Sequence, residues 1–313
     1  MSSSSLKNYN SGISDCTLQR EVGKMSVFAT LLMNGIANAA LYFLMAAGLT
    51  LIFGLMRVIN FAHGGLYLWG GYIAMFLYTS THNFVVALIG GFVVGGLLGF
   101  LMERGLLASV YRDGNGQLLM TMGILVVLSE LIKVPFGRNP QSSTVPHGLN
   151  HSWIAGHVVI VGYNVFIIIV GILVYLALQV TLHRSRLGVI IRAGVGNPEL
   201  VEARGIPIRR IFTLVFILGA ALAGFAGALA GPFFGSVTPT MGMDMQLNAF
   251  IIVVLGGLGS LNGSLIGSLM IGIATAVVSY FLPTAAILVN VLLMAVVLVI
   301  RPEGLFGEKE GAM

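Results

Sequence analysis

The sequence predicts an all-α polytopic membrane protein, and three observations lead to that class. Hydrophobic residues make up 57% of the 313 residues and charged residues only 9%, whereas soluble domains are about 45–50% apolar and about 25% charged. The mean hydropathy is +0.97. Apolar stretches close to or above the ~18 residues that cross a bilayer recur, at 26–56, 84–102, 157–182, 211–230 and 264–282. A β-barrel would instead show short segments of alternating hydrophobicity.

The chain divides into a polar head (1–25), a membrane domain (26–300) and a tail (301–313). The head is rich in Ser, Asn and charged residues, which predicts disorder. The first apolar stretch, 26–56, fits one long tilted helix or two short helices broken near Asn38. The basic head favours an inside start and therefore two crossings. Eight or nine membrane segments are expected in total.

Charge differs between the loops and predicts their orientation. Residues 183–210 contain six Arg, and 103–116 also contain Arg. The stretches 139–156 and 231–246 contain neither Lys nor Arg. Because basic loops stay in the cytoplasm, we expect 103–116, 183–210 and the C-terminus inside, and the two uncharged stretches outside.

Two glycine-rich stretches interrupt membrane segments, one in each half of the chain: "MRVINFAHGG" (56–65) and "VVLGGLGSLNGS" (253–264). Non-helical backbone at membrane depth is tolerated only where it is buried in protein or lines a wet cavity. Paired interruptions therefore predict an inverted repeat around a pathway, with ordinary cytoplasmic turns as the alternative. The candidate translocation path comprises the polar residues of both stretches: Arg57, Asn60, His63, Asn262 and Ser264.

Two sets of glycines recur at a spacing of four residues, which places each set on one helix face. Small residues on one face let helix backbones approach closely. We expect both sets to serve packing inside the subunit in preference to a dimer seam. The sets are Gly91, Gly95 and Gly99, and Gly259, Gly263 and Gly267.

The charged loop "RAGVGNPELVEARGIPIRR" (192–210) has the signals of a short helix at 198–204. Asn197 is a good N-cap, and Glu199 lies where the helix dipole favours an anion. Gly205 can take the left-handed conformation that ends a helix. A helix this short is marginal in water. It therefore needs a surface to pack against, and the alternatives are the membrane, its own subunit and a cytoplasmic partner.

Catalytic chemistry and cofactors are not expected from this sequence. No lysine lies in a phosphate-binding loop pattern, so any ATP is used by a partner. The single cysteine, Cys16, excludes a disulfide within the chain. His147 and His151 fit a polar surface loop better than a metal site. We assign no catalytic residue, no metal and no nucleic-acid partner.

An ion-coupled secondary transporter is the alternative class, and a channel is a third. Secondary transporters normally carry carboxylates inside the membrane. The candidate here is Glu130, but Lys133 follows three residues later and can pair with it on one helix face. Asp244 falls in a stretch expected outside. Both observations argue against ion coupling.

Four ordered motifs resemble one family. They are "GLTLIFGLMRVINFAHGGLYLWGGYIA" (48–74), "RAGVGNPELVEARGI" (192–206), "VVLGGLGSLNGSLIGS" (253–268) and "RPEGLFG" (301–307). Together they are similar to the LivH-type inner-membrane permease of branched-chain amino acid ABC importers, over nearly the whole chain after residue 25. The chain departs from the family in a short segment between Tyr280 and Val289 and in its long polar head.

The resemblance implies a multi-pass protein of the bacterial inner membrane, in contact with lipid. It implies three kinds of partner: a second, LivM-type permease, two ATP-binding subunits and an external binding protein that delivers the amino acid. Leucine, isoleucine and valine are the implied cargo, and urea or amides are the alternative because closely similar permeases carry them. The loop then contains the coupling helix, with Asn197, Glu199, Glu202, Ala203, Arg204 and Gly205 as the residues that contact the ATPase.

Overall fold

The computed structural model describes residues 3–56, 60–107, 110, 113–155, 158–196 and 198–307. Their secondary structure is almost entirely helical. The helices are α1 (Ser3–Met56), α2 (His63–Thr81), α3 (Phe84–Gly105), α4 (Gly114–Leu131), α5 (Lys133–Phe136), α6 (Gly162–Arg184), α7 (Arg186–Gly196), α8 (Pro198–Ala203), α9 (Ile208–Phe234), α10 (Met241–Gly256), α11 (Leu261–Phe281) and α12 (Ala286–Ile300). Short 3₁₀ turns lie at His147–Leu149 and Pro283–Ala285.

Four short strands lie at one end of the helix bundle. Strand β1 (Gln141–Ser142) pairs antiparallel with β4 (Ser236–Val237), and β2 (Ser152–Ala155) forms a hairpin with β3 (Val158–Val161). The β1–β4 pair joins the two stretches without Lys or Arg, 139–156 and 231–246. These two stretches therefore lie at the same end of the helix bundle.

Within the described residues, seven helical segments are long and apolar enough to cross a membrane. They are Val27–Met56, Phe84–Gly105, Gly114–Phe136, Gly162–Arg184, Ile208–Phe234, Leu261–Phe281 and Pro283–Ile300. The prediction of an all-α polytopic membrane protein is confirmed, whereas the count of eight or nine segments is not. Helix α2 is not among the seven, and α10 is apolar but short.

The first apolar stretch is one helix, so the prediction of two crossings in 26–56 is wrong. Polar and small residues near the predicted break serve packing instead. The side-chain amide of Asn164 in α6 donates to Asn34 Oδ1 at 2.7 Å. A Cβ atom at Gly35 would lie 3.0 Å from Ile273 Cα in α11. With one crossing, the start of this span lies beside the start of α6 and the end of α11.

Helix α1 also extends back to Ser3, into the segment expected to be a disordered head. Proline is absent from residues 1–56, so no residue type there prevents helical hydrogen bonding from continuing. The division into head (1–25), membrane domain (26–300) and tail (301–313) stays a prediction.

Both glycine sets lie at close contacts within the subunit, which confirms the packing interpretation. Along α3, a Cβ atom at Gly95 would lie 2.6 Å from the carbonyl oxygen of Ala220 in α9, and Gly91 and Gly99 also face α9. In the second set Gly263 and Gly267 face α10, while Gly259 lies beside Gly54 of α1. The small residues bring α9 and α10 into backbone contact with their neighbours, which fixes the centre of the bundle.

Candidate translocation path and docking loop

Two helix crossings made of glycine lie at the centre of the bundle. Helix α1 crosses α9 at Gly48 and Gly219, where a Cβ atom on either residue would lie 2.5–2.7 Å from the carbonyl oxygen of the other. Helix α2 crosses α10 at Gly64 and Gly242 in the same reciprocal way. At the second crossing, a Cβ atom at Gly64 would collide with the carbonyl oxygen of Gly242. The helices can approach this closely only because both positions lack a side chain.

Three buried polar residues, Asn60, His63 and Gln246, lie at or next to the α2–α10 crossing. Asn60 and His63 are fully buried, and Gln246 is 1% exposed. Gln246 Nε2 donates to the backbone oxygen of Asn60 at 3.4 Å, and His63 Nε2 lies 3.2 Å from the backbone oxygen of Met45 in α1. The structure therefore brings Gln246, which the sequence did not indicate, to the backbone of the predicted path residue Asn60. The ring of His63, the other predicted path residue here, lies against α1 beside Met45 and Gly48.

The sequence interpretation missed Gln246 because it assigned 231–246 to a loop. In the structure that loop is short: α9 continues to Phe234 and α10 begins at Met241. The expectation that Asp244 lies in an external loop is also wrong, since Asp244 belongs to the first turn of α10. Asp244 is exposed, two residues from Gly242 at the crossing.

The other predicted path residues lie elsewhere. Ser264 is fully buried between α1 and α11, where its hydroxyl lies 2.5 Å from Thr50 Oγ1. Asn262 is exposed, and its Oδ1 accepts a hydrogen bond from the Tyr175 hydroxyl at 3.0 Å. Arg57 lies outside the described residues. The break predicted in 253–264 is observed between the end of α10 and the start of α11.

The "RPEGLFG" tail segment contacts this break directly. The amides of Leu305 and Phe306 donate to the carbonyl oxygens of Leu255 and Gly256, at 2.9 and 3.0 Å. These carbonyls end α10, where helices leave acceptors without partners. Gly304, with a φ of +81°, lies against the backbone of Gly257. The tail therefore caps α10, which gives a structural reason for a motif recognised in the sequence only by resemblance.

The charged loop forms the short helix that its sequence predicts. Helix α8 covers Pro198–Ala203, and Gly205 has the left-handed φ of +80°. The amide of Gly205 donates to the oxygen of Glu202 at 2.9 Å, and that of Ile206 donates to the oxygen of Val201 at 3.4 Å. This pair of bonds is a Schellman motif, the usual helix end at a glycine. Asn197 lies outside the described residues, as does the side chain of Glu199.

One face of α8 packs and the other is exposed. Val201 is buried, whereas Glu202, Ala203, Arg204 and Gly205 are exposed. Glu202 Oε1 lies 3.9 Å from Arg209 Nε, and the Arg209 side chain is 91% exposed. An exposed pair at this distance adds little stability. The loop thus presents the charges of Glu202, Arg204 and Arg209 on an exposed surface.

The structure also bears on the ion pair and the metal site that the sequence analysis considered. Lys133 Nζ forms the expected ion pair with Glu130 Oε1. Among the described residues, no group of three or more His, Cys, Asp or Glu is placed to hold a metal ion. A groove between α3 and α4 is lined only by apolar residues and glycine, including Leu98, Met102 and Leu128. It contains none of the predicted path residues.

Comparison with known proteins adds independent information. The family model for the permease component of branched-chain amino acid transport systems matches residues 31–301. The chain is 31% identical over 303 residues to the high-affinity branched-chain amino acid permease LivH of Escherichia coli K12, covering 90% of this chain and 96% of that protein. It is 30% identical to BraD of Pseudomonas aeruginosa, covering 89% and 95%. The ribose import permease RbsC of Escherichia coli is 27% identical, covering 77% and 75%. No solved structure gives a significant match.

Proposed function

The chain belongs to the family of permease components of branched-chain amino acid transport systems, and from this premise we propose that it forms the translocation path for leucine, isoleucine and valine. It is a permease subunit of an ABC importer, a multi-pass inner-membrane protein and not an enzyme. ATP hydrolysis occurs on a separate partner, and an external binding protein delivers the substrate. The relatives described above carry branched-chain amino acids or ribose, so urea or amides are not favoured as cargo.

The observation that carries the proposal is the polar group at the α2–α10 crossing. Asn60 and His63 are fully buried beside two helix starts in the centre of an apolar bundle. Polar residues in such a position normally mark a substrate or ion pathway. We assign Arg57, Asn60, His63, Asn262 and Ser264 to the path and its walls, with Asn60 and His63 at its centre.

The two halves form an inverted repeat in this proposal. The α1–α2–α3 unit corresponds to α9–α10–α11, since α3 packs on α9 as α11 packs on α1. Gly48 and Gly219 contact each other reciprocally, as do Gly64 and Gly242. Reciprocal contacts of this kind are expected on a two-fold axis. Inverted repeats place the substrate site at the repeat interface, which is where the polar group lies. In this repeat, α2 and α10 each count as a membrane segment, and each begins inside the helix bundle.

A second, LivM-type permease covers the outer face of α10. Asp244, Met243 and Leu247 are exposed along that face. A carboxylate at membrane depth is costly in lipid and normally faces protein or water. We infer that this face meets the partner permease.

Helix α8 is the coupling helix in this proposal. Asn197, Glu199, Glu202, Ala203, Arg204 and Gly205 contact the ATPase, and the C-terminus is cytoplasmic. The exposed charges of the loop support this assignment. Single cysteines at Ser142 and Ser185, in a Cys16→Ser background, test the orientation with a membrane-impermeant thiol reagent. We expect external labelling at 142 alone, and external labelling at 185 alone would reverse the orientation.

Transport by the reconstituted complex tests the function. Proteoliposomes that contain both permeases and the ATPases, supplied with the binding protein, are assayed with labelled leucine and labelled urea. We expect leucine uptake that requires ATP and no urea uptake. Uptake driven by an ion gradient in vesicles that hold this chain alone would instead support the secondary transporter.

A further inference from the structure

A buried carboxylate lies near the end of α3, next to the start of α9. It belongs to Glu103, which is 5% exposed and is the one acidic residue that is buried among those whose burial the structure describes. Burial of a carboxylate is costly unless the group is paired or hydrogen-bonded. Its presence at this point therefore needs a reason in the structure around it.

Thr213, in the second turn of α9, donates a hydrogen bond to this carboxylate. Its hydroxyl oxygen lies 2.9 Å from Glu103 Oε1 and 3.1 Å from the backbone oxygen of Arg209. A hydroxyl has one proton to donate, and a hydrogen bond to a carboxylate is stronger than one to a neutral oxygen. The bond to Glu103 therefore dominates, and it joins the end of α3 to the start of α9.

The start of α9 also holds the charged loop. Only residues 204–207 separate α8 from α9, and the amide of Ile208 donates to the oxygen of Ile206 at 2.8 Å. Helix α7 packs on the same two turns, because a Cβ atom at Gly194 would lie 3.1 Å from Ile208 Cγ1 and 3.5 Å from Phe212 Cε1. We call α7, α8 and the first two turns of α9 (208–213) the docking base.

The glycine contacts between α3 and α9 do not extend to the docking base. The last of them is at Gly99, where a Cβ atom would meet Ala220 and Phe216. Glu103 lies one turn further along α3, and Thr213 lies nearly one turn nearer the start of α9. The bond between these two side chains is therefore placed to hold the docking base against the helix bundle.

We propose that Glu103 is a positioning residue for the coupling of ATP hydrolysis to transport, and that it acts through Thr213 by fixing the docking base to α3. A displacement of α8 by the ATPase then moves α9 as a whole and is not absorbed by bending of its first turns. The proposal rests on the coupling role proposed above for α8 and adds to it the residue that makes the connection to the bundle rigid.

The amount of ATP hydrolysed per leucine imported tests this role. Thr213→Val keeps the shape of the side chain and removes the hydroxyl. In proteoliposomes with the complete transporter, we expect the ATPase subunits to stay bound and the ratio to rise at least about threefold. Loss of a hydrogen bond to a charged group shifts an equilibrium between a fixed and a released docking base by about tenfold or more. Thr213→Ser keeps the hydroxyl and should keep the parent ratio.

Thr181→Val is the matched control. The Thr181 hydroxyl donates to the oxygen of Ala177 within its own helix, α6, so its loss should leave the ratio at the parent value. A general loss of stability lowers uptake and ATP hydrolysis together and does not change the ratio. A parent ratio in Thr213→Val, or an equal rise in Thr181→Val, would overturn the positioning role while leucine transport stands.

A distance measurement tests the connection whether or not leucine is the cargo. Spin labels are placed at Gly105→Cys in α3, where a side chain meets no atom within 4 Å, and at the exposed Val189→Cys in α7. The background is Cys16→Ser, assembled with cysteine-free partner subunits. We expect Thr213→Val and Glu103→Leu each to add a second population to the distance distribution, and Thr181→Val to leave it unchanged.

The two substitutions combined should have no larger effect than either alone, as expected for the two partners of one bond. An unchanged distribution in both single variants would overturn the proposal. A second population without leucine uptake by the parent complex would support the connection and reject the proposed cargo.

Discussion

Helix α8 and the crossing of α2 with α10 lie in different parts of the molecule and depend on different kinds of interaction. Helix α8 is a surface element whose ends are set by neighbouring residues in the sequence, with Gly205 at its close. The crossing joins Gly64 and Gly242, which are distant in sequence, through direct backbone contact. A substitution in α8 should therefore change an interface, whereas one at the crossing should change the fold.

The largest expected effect is at the crossing. Gly64→Val places a branched side chain against backbone atoms that cannot move independently. Overpacking usually costs about 1–3 kcal/mol and occasionally more, and we expect the upper end or beyond because the obstacle is backbone. The measurement is the yield of monodisperse protein by fluorescence-detected size-exclusion chromatography.

Gly123→Val in α4 is the matched control. A Cβ atom there would meet no atom within 4 Å, so a yield near the parent level is expected. Equal yields for the two variants would show that the crossing tolerates a side chain and that its close contact is not required for folding.

Charge reversal on α8 comes next. Glu202→Lys leaves the subunit folded, because the exposed Glu202–Arg209 pair is worth at most about 1 kcal/mol. At an interface, like charges placed together can cost several kcal/mol. We expect the variant to insert normally but to lose co-purification with the ATPase. Glu202→Gln removes the charge without reversing it and should retain part of the binding.

The smallest effect is expected from Gly205→Val. A β-branched residue is strained at a φ of +80°, at a cost of about 1–3 kcal/mol. The end of α8 should loosen, so ATPase binding weakens through geometry and not through charge. Gly205→Asn should largely restore binding, since Asn tolerates the left-handed conformation. If both α8 variants, Glu202→Lys and Gly205→Val, keep parental ATPase binding and coupled hydrolysis, the coupling assignment is rejected.

The sequence predicted features that depend on nearby residues. The start and end of α8 were predicted to within one residue, because Pro198 and Gly205 act on the adjacent backbone. The i,i+3 spacing of Glu130 and Lys133 predicted their ion pair. The glycine sets predicted close packing, but the spacing alone could not identify α9 and α10 as the surfaces they face.

The errors came from polar residues in apolar stretches. Asn38 suggested a break in the first span, yet the helix continues through it, and Asn34, four residues earlier, bonds Asn164 of α6. Asp244 and Gln246 suggested an external loop, yet both lie in α10. A polar residue in an apolar stretch indicates a loop only when no residue distant in the sequence bonds it or packs against it. The local sequence does not contain that information.

The sequence by itself determined the class of the protein, the extent of its apolar segments and the capped helix in its charged loop. Each of these follows from the composition or from interactions between residues a few positions apart. The tertiary structure decided that α1 is a single span, that α2 and α10 cross at two glycines, and that Gln246 reaches the backbone of Asn60. These features depend on contacts between helices far apart in the chain, whose free energy appears only when the bundle has formed.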